Sequence, residues 1–282
     1  MTAPDVGALK ALWRAVFCDP EEEIDRFFSH FYAPERTVAI TEGGELAAMA
    51  HLLPAGSLVL GGKAPPCAML YAVASAPHLR GRGFGRRVTE EAVQRAQALG
   101  FEAVVLHPAE KTLFSFYEKL GFLTAFSACF TGIINLDPQS EPETHGAALR
   151  RISSAEYAAL RRRYLDGRVF IDFTPHAFAY QEALCGEGGL FAVERGGETV
   201  GCAIVERGGE ETAAKELLCS PRDFDDAVAA LERAFPAHAL SVRAPEWAVP
   251  GGSERAVPFG MLYLTAAGYP QDAAGWYGPA FD

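Results

Sequence analysis

The segment Met69–Val88, MLYAVASAPHLRGRGFGRRV, constrains the fold more than any other part of the chain. It reads as a β-strand, a basic turn with three glycines, and the first turns of a helix. Gly81, Gly83 and Gly85 let the backbone turn tightly and come close to a ligand. The helix that follows points its unpaired N–H groups and the positive end of its dipole back at that turn. Arg80, Arg82, Arg86 and Arg87 concentrate cationic charge in a chain whose net charge is −11. Together these features make an anion site suited to a pyrophosphate. A P-loop is disfavoured, because no Gly-Lys-Ser or Gly-Lys-Thr occurs. A dinucleotide-binding turn is disfavoured, because the spacing is G-x-G-x-G and antiparallel hairpins precede it.

Residues 6–32 carry apolar side chains at helical spacing, from Leu9 to Phe17 and from Ile24 to Phe31. Asp19-Pro20 divides them into two helices, with Asp19 as the cap and Pro20 in the first turn. Thr37–Thr41 and Leu46–Leu53 flank Gly43-Gly44 and form a hairpin. Ser57–Leu60 pairs with Cys67–Ser75, 83–99 is a helix that Gly100 stops, and Phe101–Leu106 is a buried strand. A short helix, Leu113–Leu120, and one or two strands over Phe126–Leu136 complete the first half. The polar, Pro-containing stretch 138–145 reads as a linker between domains at 1–137 and 146–282.

The second half repeats this order. A helical region, 153–185, precedes a hairpin over Ala192–Ala203 that echoes Ala39–Ala50, with five of twelve positions identical at an offset of 153. A strand at Lys215–Ser220, a helix at Asp223–Phe235 and a strand at Leu240–Val242 follow, then closing strands at Phe259–Leu264 and Trp276–Phe281. Self-similarity at this length indicates a duplicated domain. The second copy has Leu217–Asp226 in place of the glycine turn, and its three aspartates would repel phosphate.

Composition narrows the partners. With Lys+Arg 25 against Asp+Glu 36, the chain lacks the cationic excess of a general nucleic-acid binder. The six cysteines have no C-x-x-C spacing and the seven histidines no ligand spacing, so no metal is expected. The longest apolar stretch, Ala47–Leu60, is broken by His51, Pro54 and Gly56 and is too short to span a bilayer. The N-terminus has no secretory pattern, and a cytoplasmic location without membrane contact is expected.

Arg80-Gly81-Arg82-Gly83-Phe84-Gly85 matches the Gln/Arg-x-x-Gly-x-Gly/Ala signature of the GNAT superfamily of N-acetyltransferases, and Val73–Pro77 matches the strand and proline that lead into it. Phe116-Tyr117-Glu118-Lys119-Leu120-Gly121-Phe122 resembles the family's late segment. The resemblance implies an α+β fold of two tandem acetyltransferase-type domains, each a mixed, mostly antiparallel sheet flanked by helices, the second degenerate. It also implies acetyl-CoA as donor and a small-molecule or peptide amine as acceptor. By the same resemblance the backbone of Val73, Ala74 and Ser75 would pair with the pantetheine amides. Backbone N–H groups from Gly81 through Arg82, Gly83, Phe84 and Gly85 to Arg86 would hold the pyrophosphate, beside Arg80, and Tyr117 would sit near the thioester sulfur. A phenol stays protonated at neutral pH and can donate to a departing thiolate. The base stays open. His107 is the best titratable candidate, followed by Glu110, a water relay, or the Asp282 terminus, as in the tandem "enhanced intracellular survival" type. The rivals are a non-catalytic acyl-CoA sensor and another acyltransferase on the same fold.

Overall fold

The computed structural model describes residues 5–134, 146–208, 211–237, 239–265 and 275–282. In chain order the elements are α1 (Val6–Phe17), α2 (Glu21–His30), β1 (Thr37–Glu42), β2 (Glu45–Val59), β3 (Pro66–Ser75), α3 (Phe84–Ala98), β4 (Ala103–Leu106), α4 (Lys111–Glu118) and β5 (Leu123–Ile134). There follow β6 (Ala147–Arg151), α5 (Ser154–Leu165), β7 (Phe170–Phe173), α6 (Pro175–Leu184), β8 (Gly189–Arg195), β9 (Glu198–Gly208), β10 (Glu211–Cys219), α7 (Phe224–Ala234), β11 (Ala239–Ala244) and β12 (Val257–Leu264). The architecture is α+β, with mostly antiparallel strands flanked by helices. The expected linker at 138–145 lies outside the described residues.

The chain forms two compact units, and neither is continuous in sequence. The described residues of the first are 5–58, 64–124 and 261–265; those of the second are 59–63, 125–134, 146–260 and 275–282, less the gaps above. In the first unit β1 pairs antiparallel with β2, β2 antiparallel with β3, and β3 parallel with β4. Met261–Leu264 of β12 then pair antiparallel with Leu106–Ala103 of β4. A strand from the far end of the chain therefore completes the first unit, which no local periodicity announces. In the second unit the pairing order is β5, β11, β10, β9, β8, β6, with β10 and β11 parallel.

Local chemistry explains most element boundaries. Asp5 caps α1 by accepting from Gly7 N at 2.9 Å. Pro20 rather than Asp19 stands at the N-cap of α2, because the Asp19 carboxylate is taken by the Trp13 indole N–H at 2.7 Å. Glu21, Glu22 and Glu23 complement the α2 dipole instead. Both hairpins turn on a glycine pair with positive φ, Gly43 and Gly44 at 60° and 86°, Gly196 and Gly197 at 60° and 85°. That is the type I′ geometry, which matches the twist of the flanking strands. Two other expectations need correction. The helical region 153–185 is interrupted by β7, where Phe170–Phe173 supplies a β-favouring run. The tail Trp276–Phe281 is not a strand; it makes single bridges at Gly275 and Trp276 and is held by side chains.

β3 carries a bulge. Met49 faces Ala74 and His51 faces Tyr71, so Ala72 and Val73 oppose the single residue Ala50. Ala72 takes φ 48°, in the left-handed region that costs an L-residue about 1–2 kcal/mol. Ala72→Gly is expected to raise stability by about 0.5–1 kcal/mol in denaturant unfolding, the relieved strain outweighing the added unfolded-state entropy; a lower midpoint would show the conformation to be unstrained.

Candidate active site

The site is built around the parting of β3 from β4. Their pairing runs from Cys67↔Ala103 to Met69↔Val105 and stops, while β3 continues to Ser75. The other edge of β3 stays bonded to β2 as far as Ser75↔Ala48. The backbone over Val73, Ala74 and Ser75 is thus anchored on one side and released by β4 on the other. The bulge at Ala72–Val73 lies within this released stretch and increases the local twist that carries the strand away.

Beyond β3 the chain turns through Ala76, whose N–H bonds Ala47 O at 2.9 Å. Gly81 and Gly83 take φ 79° and 85°, and no heavy atom lies within 4 Å of where a Cβ would stand on either. Gly83 is the N-cap of α3 and has no side chain to accept the first-turn N–H groups; the first turn also holds no acidic residue. A ready-made anion cradle results: free donors, a positive dipole end and open space in front of them. Gly85 differs from its neighbours. Its backbone is helical, and its Cβ position faces Ser75 Oγ at 3.6 Å and the Phe116 ring at 3.7 Å. The end of β3, the start of α3 and the helix α4 meet at this point.

The arginines are held but not buried. Arg82 donates to Glu42 at the end of β1 at 2.8 Å, and Arg86 lies 3.7 Å from Glu90. The guanidinium groups of Arg82 and Arg87 lie over the Phe84 ring at 5.4 and 5.6 Å. Both ion pairs are exposed, and the strength of such a pair is small compared with what a phosphate can offer an arginine.

The family description "acetyltransferase (GNAT) domain" matches residues 1–125. Over that stretch the chain is similar to GNAT acetyltransferases. A comparison with curated proteins gives no match. Among solved structures, the chain is similar to a GCN5-related N-acetyltransferase from Anabaena variabilis, with TM-score 0.66 and 18% identity over 93% of this chain and 70% of that one. A second, from Kribbella flavida, gives TM-score 0.65 and 16% identity over 94% and 69%. A third, from Sphaerobacter thermophilus, gives TM-score 0.60 and 15% identity over 96% and 97%. These likenesses concern the fold. Acyl transfer is the chemistry of the GNAT family, and acetyl-CoA is the donor that its acetyltransferases use.

Within the matched stretch, Tyr117 on α4 is 6% exposed, between the rings of Phe116 and Phe122 at 5.0 and 5.7 Å. Burial pushes its phenol up to about 12. His107 is half-buried directly after β4. Glu110 is exposed and its Oε2 accepts from Thr112 Oγ1 at 3.2 Å, at the N-cap position of α4. The described residues contain no group of three or more His, Cys, Asp or Glu placed to hold a metal, and no helix among them is long and apolar enough to cross a membrane. His51 and the Ala72 bulge were not among the expected site residues. The one hint of His51 in the sequence is a lone polar residue inside the run Ala47–Leu53.

The second unit builds the same pieces to a different end. β10 also has a bulge, at Lys215 between Ala214↔Val205 and Glu216↔Ile204, and it pairs with β11 only over Glu211–Ala214. Here the released backbone is taken. Arg243 of β11 donates from Nε to Lys215 O at 2.8 Å and from Nη1 to the Asp282 carboxylate at 2.8 Å. Lys215 Nζ bonds Asp282 O. Behind it, the fully buried Glu216 accepts from Tyr157 Oη, Arg161 Nε and Trp276 Nε1. The start of α7 is acidic, with Asp223 and Asp226 both bonded to Arg195. Arg195 stands at the offset of 153 from Glu42. The hairpin turn therefore reaches the next helix in both units, with the charges exchanged.

Glu216→Gln removes the only carboxylate bonded to the buried Arg161 guanidinium among the described residues. The expected loss is about 3–5 kcal/mol, with faster hydrogen exchange across 275–282. An unchanged melting temperature would show that the pair contributes nothing.

Proposed function

We propose that the N-terminal GNAT domain transfers an acetyl group from acetyl-CoA to a primary amine by direct attack, with one acyl-CoA bound per chain. The observation that carries this reading is the released β3 edge running straight into an uncapped, arginine-flanked helix start. An extended amide-bearing arm ending in a pyrophosphate fits that sequence of donors and acceptors. The backbone of Val73–Ser75 holds the pantetheine amides, and the N–H groups from Gly81 to Arg86 hold the pyrophosphate. Arg80, Arg82 and Arg86 neutralise its charge, Arg82 exchanging Glu42 for a phosphate oxygen. The second unit takes no donor, because Arg243 and the tail occupy its released strand and α7 opens with carboxylates.

In the transfer the amine lone pair forms the N–C bond, the C–S bond breaks, and its electron pair goes to sulfur. The nitrogen proton passes to a base, for which His107, Glu110 and a water relay stand as candidates. Tyr117 serves the leaving sulfur. Its phenol sits at about 12, against about 8.5 for a free thiol. Complete proton transfer would run uphill by roughly 5 kcal/mol. Tyr117 therefore donates a hydrogen bond to the developing thiolate and keeps its own proton, while the thiolate takes a different proton from solvent. The buried cysteines are unsuited to a covalent route, since burial raises the thiols of Cys67 and Cys129 above their ordinary range.

Two variants test the two halves of this reading. Gly85→Asp has room for its Cβ and places a carboxylate where a helix N-terminus tolerates one. It should keep the wild-type melting temperature and lose at least ~100-fold in acetyl-CoA affinity by calorimetry; unchanged binding would refute the donor site. Tyr117→Phe should lower amine-dependent thiol release by roughly 10–100-fold with acetyl-CoA affinity unchanged, and equal turnover would remove its role. Wild-type stoichiometry near two acyl-CoA per chain would contradict the closed second unit.

A further inference from the structure

His51 is 2% exposed in the middle of β2, and burial pushes its imidazole down to about 3, so it is neutral. Its tautomer can be read from its partner. Thr37 Oγ1 has a single hydrogen and donates it to Ala33 O at 2.9 Å. The 3.0 Å contact between Thr37 Oγ1 and His51 Nδ1 must then run from Nδ1–H to the hydroxyl oxygen. Nε2 is left as a bare lone pair, and no side chain or backbone group among the described residues bonds it. An unsatisfied buried acceptor costs about 1–3 kcal/mol, which a phenylalanine at this position would avoid.

The surroundings are aromatic. The rings of Phe27, Phe28 and Trp13 lie 5.0, 5.8 and 6.0 Å from the imidazole. Trp13 cannot satisfy Nε2, because its own N–H is committed to Asp19. The cross-strand partner of His51 is Tyr71, the residue just before the strained Ala72 where β3 begins to leave the sheet. An orphaned acceptor, an aromatic wall and the bulge of the donor strand thus share one place in the first unit. Aromatic faces attract a cation and bury an apolar body, and the neutral imidazole accepts one N–H.

Resting on the acyltransferase reading above, we infer that the acceptor is a primary amine on an apolar aryl or alkyl body, and that its N–H is received by His51 Nε2. Phe28, half-buried on α2, is the ring that rotates aside to admit it. His51 orients the amine beside the donor strand and changes no charge. The proton of the attacking nitrogen leaves to the base of the transfer step, as before. Polyamines and polyhydroxylated amines are disfavoured, because their further polar groups would meet only aromatic walls.

The test measures thiol release from acetyl-CoA with 2-phenylethylamine, hexylamine and spermidine, together with ¹⁵N spectra of His51. Wild-type protein should use the two apolar amines in preference to spermidine, and 2-phenylethylamine should shift the unprotonated Nε2 resonance. His51→Phe should fold at least as stably as wild type and bind acetyl-CoA within twofold. Its KM for 2-phenylethylamine should rise at least tenfold with kcat much less affected. Thr37→Val, which unlocks the tautomer, should raise the same KM. Preference for spermidine, release with none of the three amines while acetyl-CoA binds, an unmoved Nε2 resonance, or an unchanged KM in His51→Phe each overturns the inference. Failure of wild type to bind acetyl-CoA overturns instead the reading beneath it.

Discussion

The release of β3 from β4 beyond Met69 is the constraint on which the rest of the first unit depends. Parallel strands normally keep their pairing as far as both extend, because an unpaired backbone group away from water is costly. Here β4 ends at Leu106 while β3 runs six residues past its last partner. The extra residue at the Ala72 bulge bends the strand as it leaves. One edge of β3 remains tied to β2, so the released groups are held in an extended, preorganised line. A ligand with its own amides can complete the sheet there without the protein having to order anything further. The glycine turn and α3 follow in the same direction, so backbone acceptors and donors give way to a concentrated positive end.

The second unit shows how little has to change to close such a site. The bulge, the parallel neighbour and the connecting helix are all present. Closure comes from side chains: one arginine on β11 caps the freed carbonyl of Lys215, and the tail is fixed by Arg243, Lys215 and the buried Glu216. Reversal of sign at the start of the helix removes the attraction for phosphate as well. Buried charge fixes a chain segment in one unit, and in the other the charge lies exposed beside the glycine turn. The first is tolerated because Glu216 accepts from Tyr157, Arg161 and Trp276, although Arg161 Nη2 has no partner among the described residues.

Local chemistry was legible in the sequence, and register was not. Gly81 and Gly83 could be read because only glycine takes positive φ without strain, and both do. Gly85 differs: its backbone is ordinary helix rather than positive φ, and its Cβ position meets Ser75 and Phe116 at ordinary contact distance. The glycine-pair hairpins stood out because two residues determine the turn. Asp19 was misplaced as a cap because a tryptophan six residues earlier competes for its carboxylate. The bulge at Ala72 and the bare nitrogen of His51 depend on which residue faces which across two strands, and a single sequence does not state that. Nor does it state that residues past 260 return to β4.

That return bears on how the protein is made. The last pairing partner of β4, Met261–Leu264, lies more than 150 residues downstream of it. While the ribosome works through the intervening stretch, the apolar Ala103–Leu106 strand has an open edge. Such an edge can pair with other nascent chains, and contacts of such long sequence separation form slowly. The glycine turn is thus translated early but follows a sheet that is finished only when residues 261–264 have been made. Any cell producing this protein must shelter that edge for most of the time its synthesis takes.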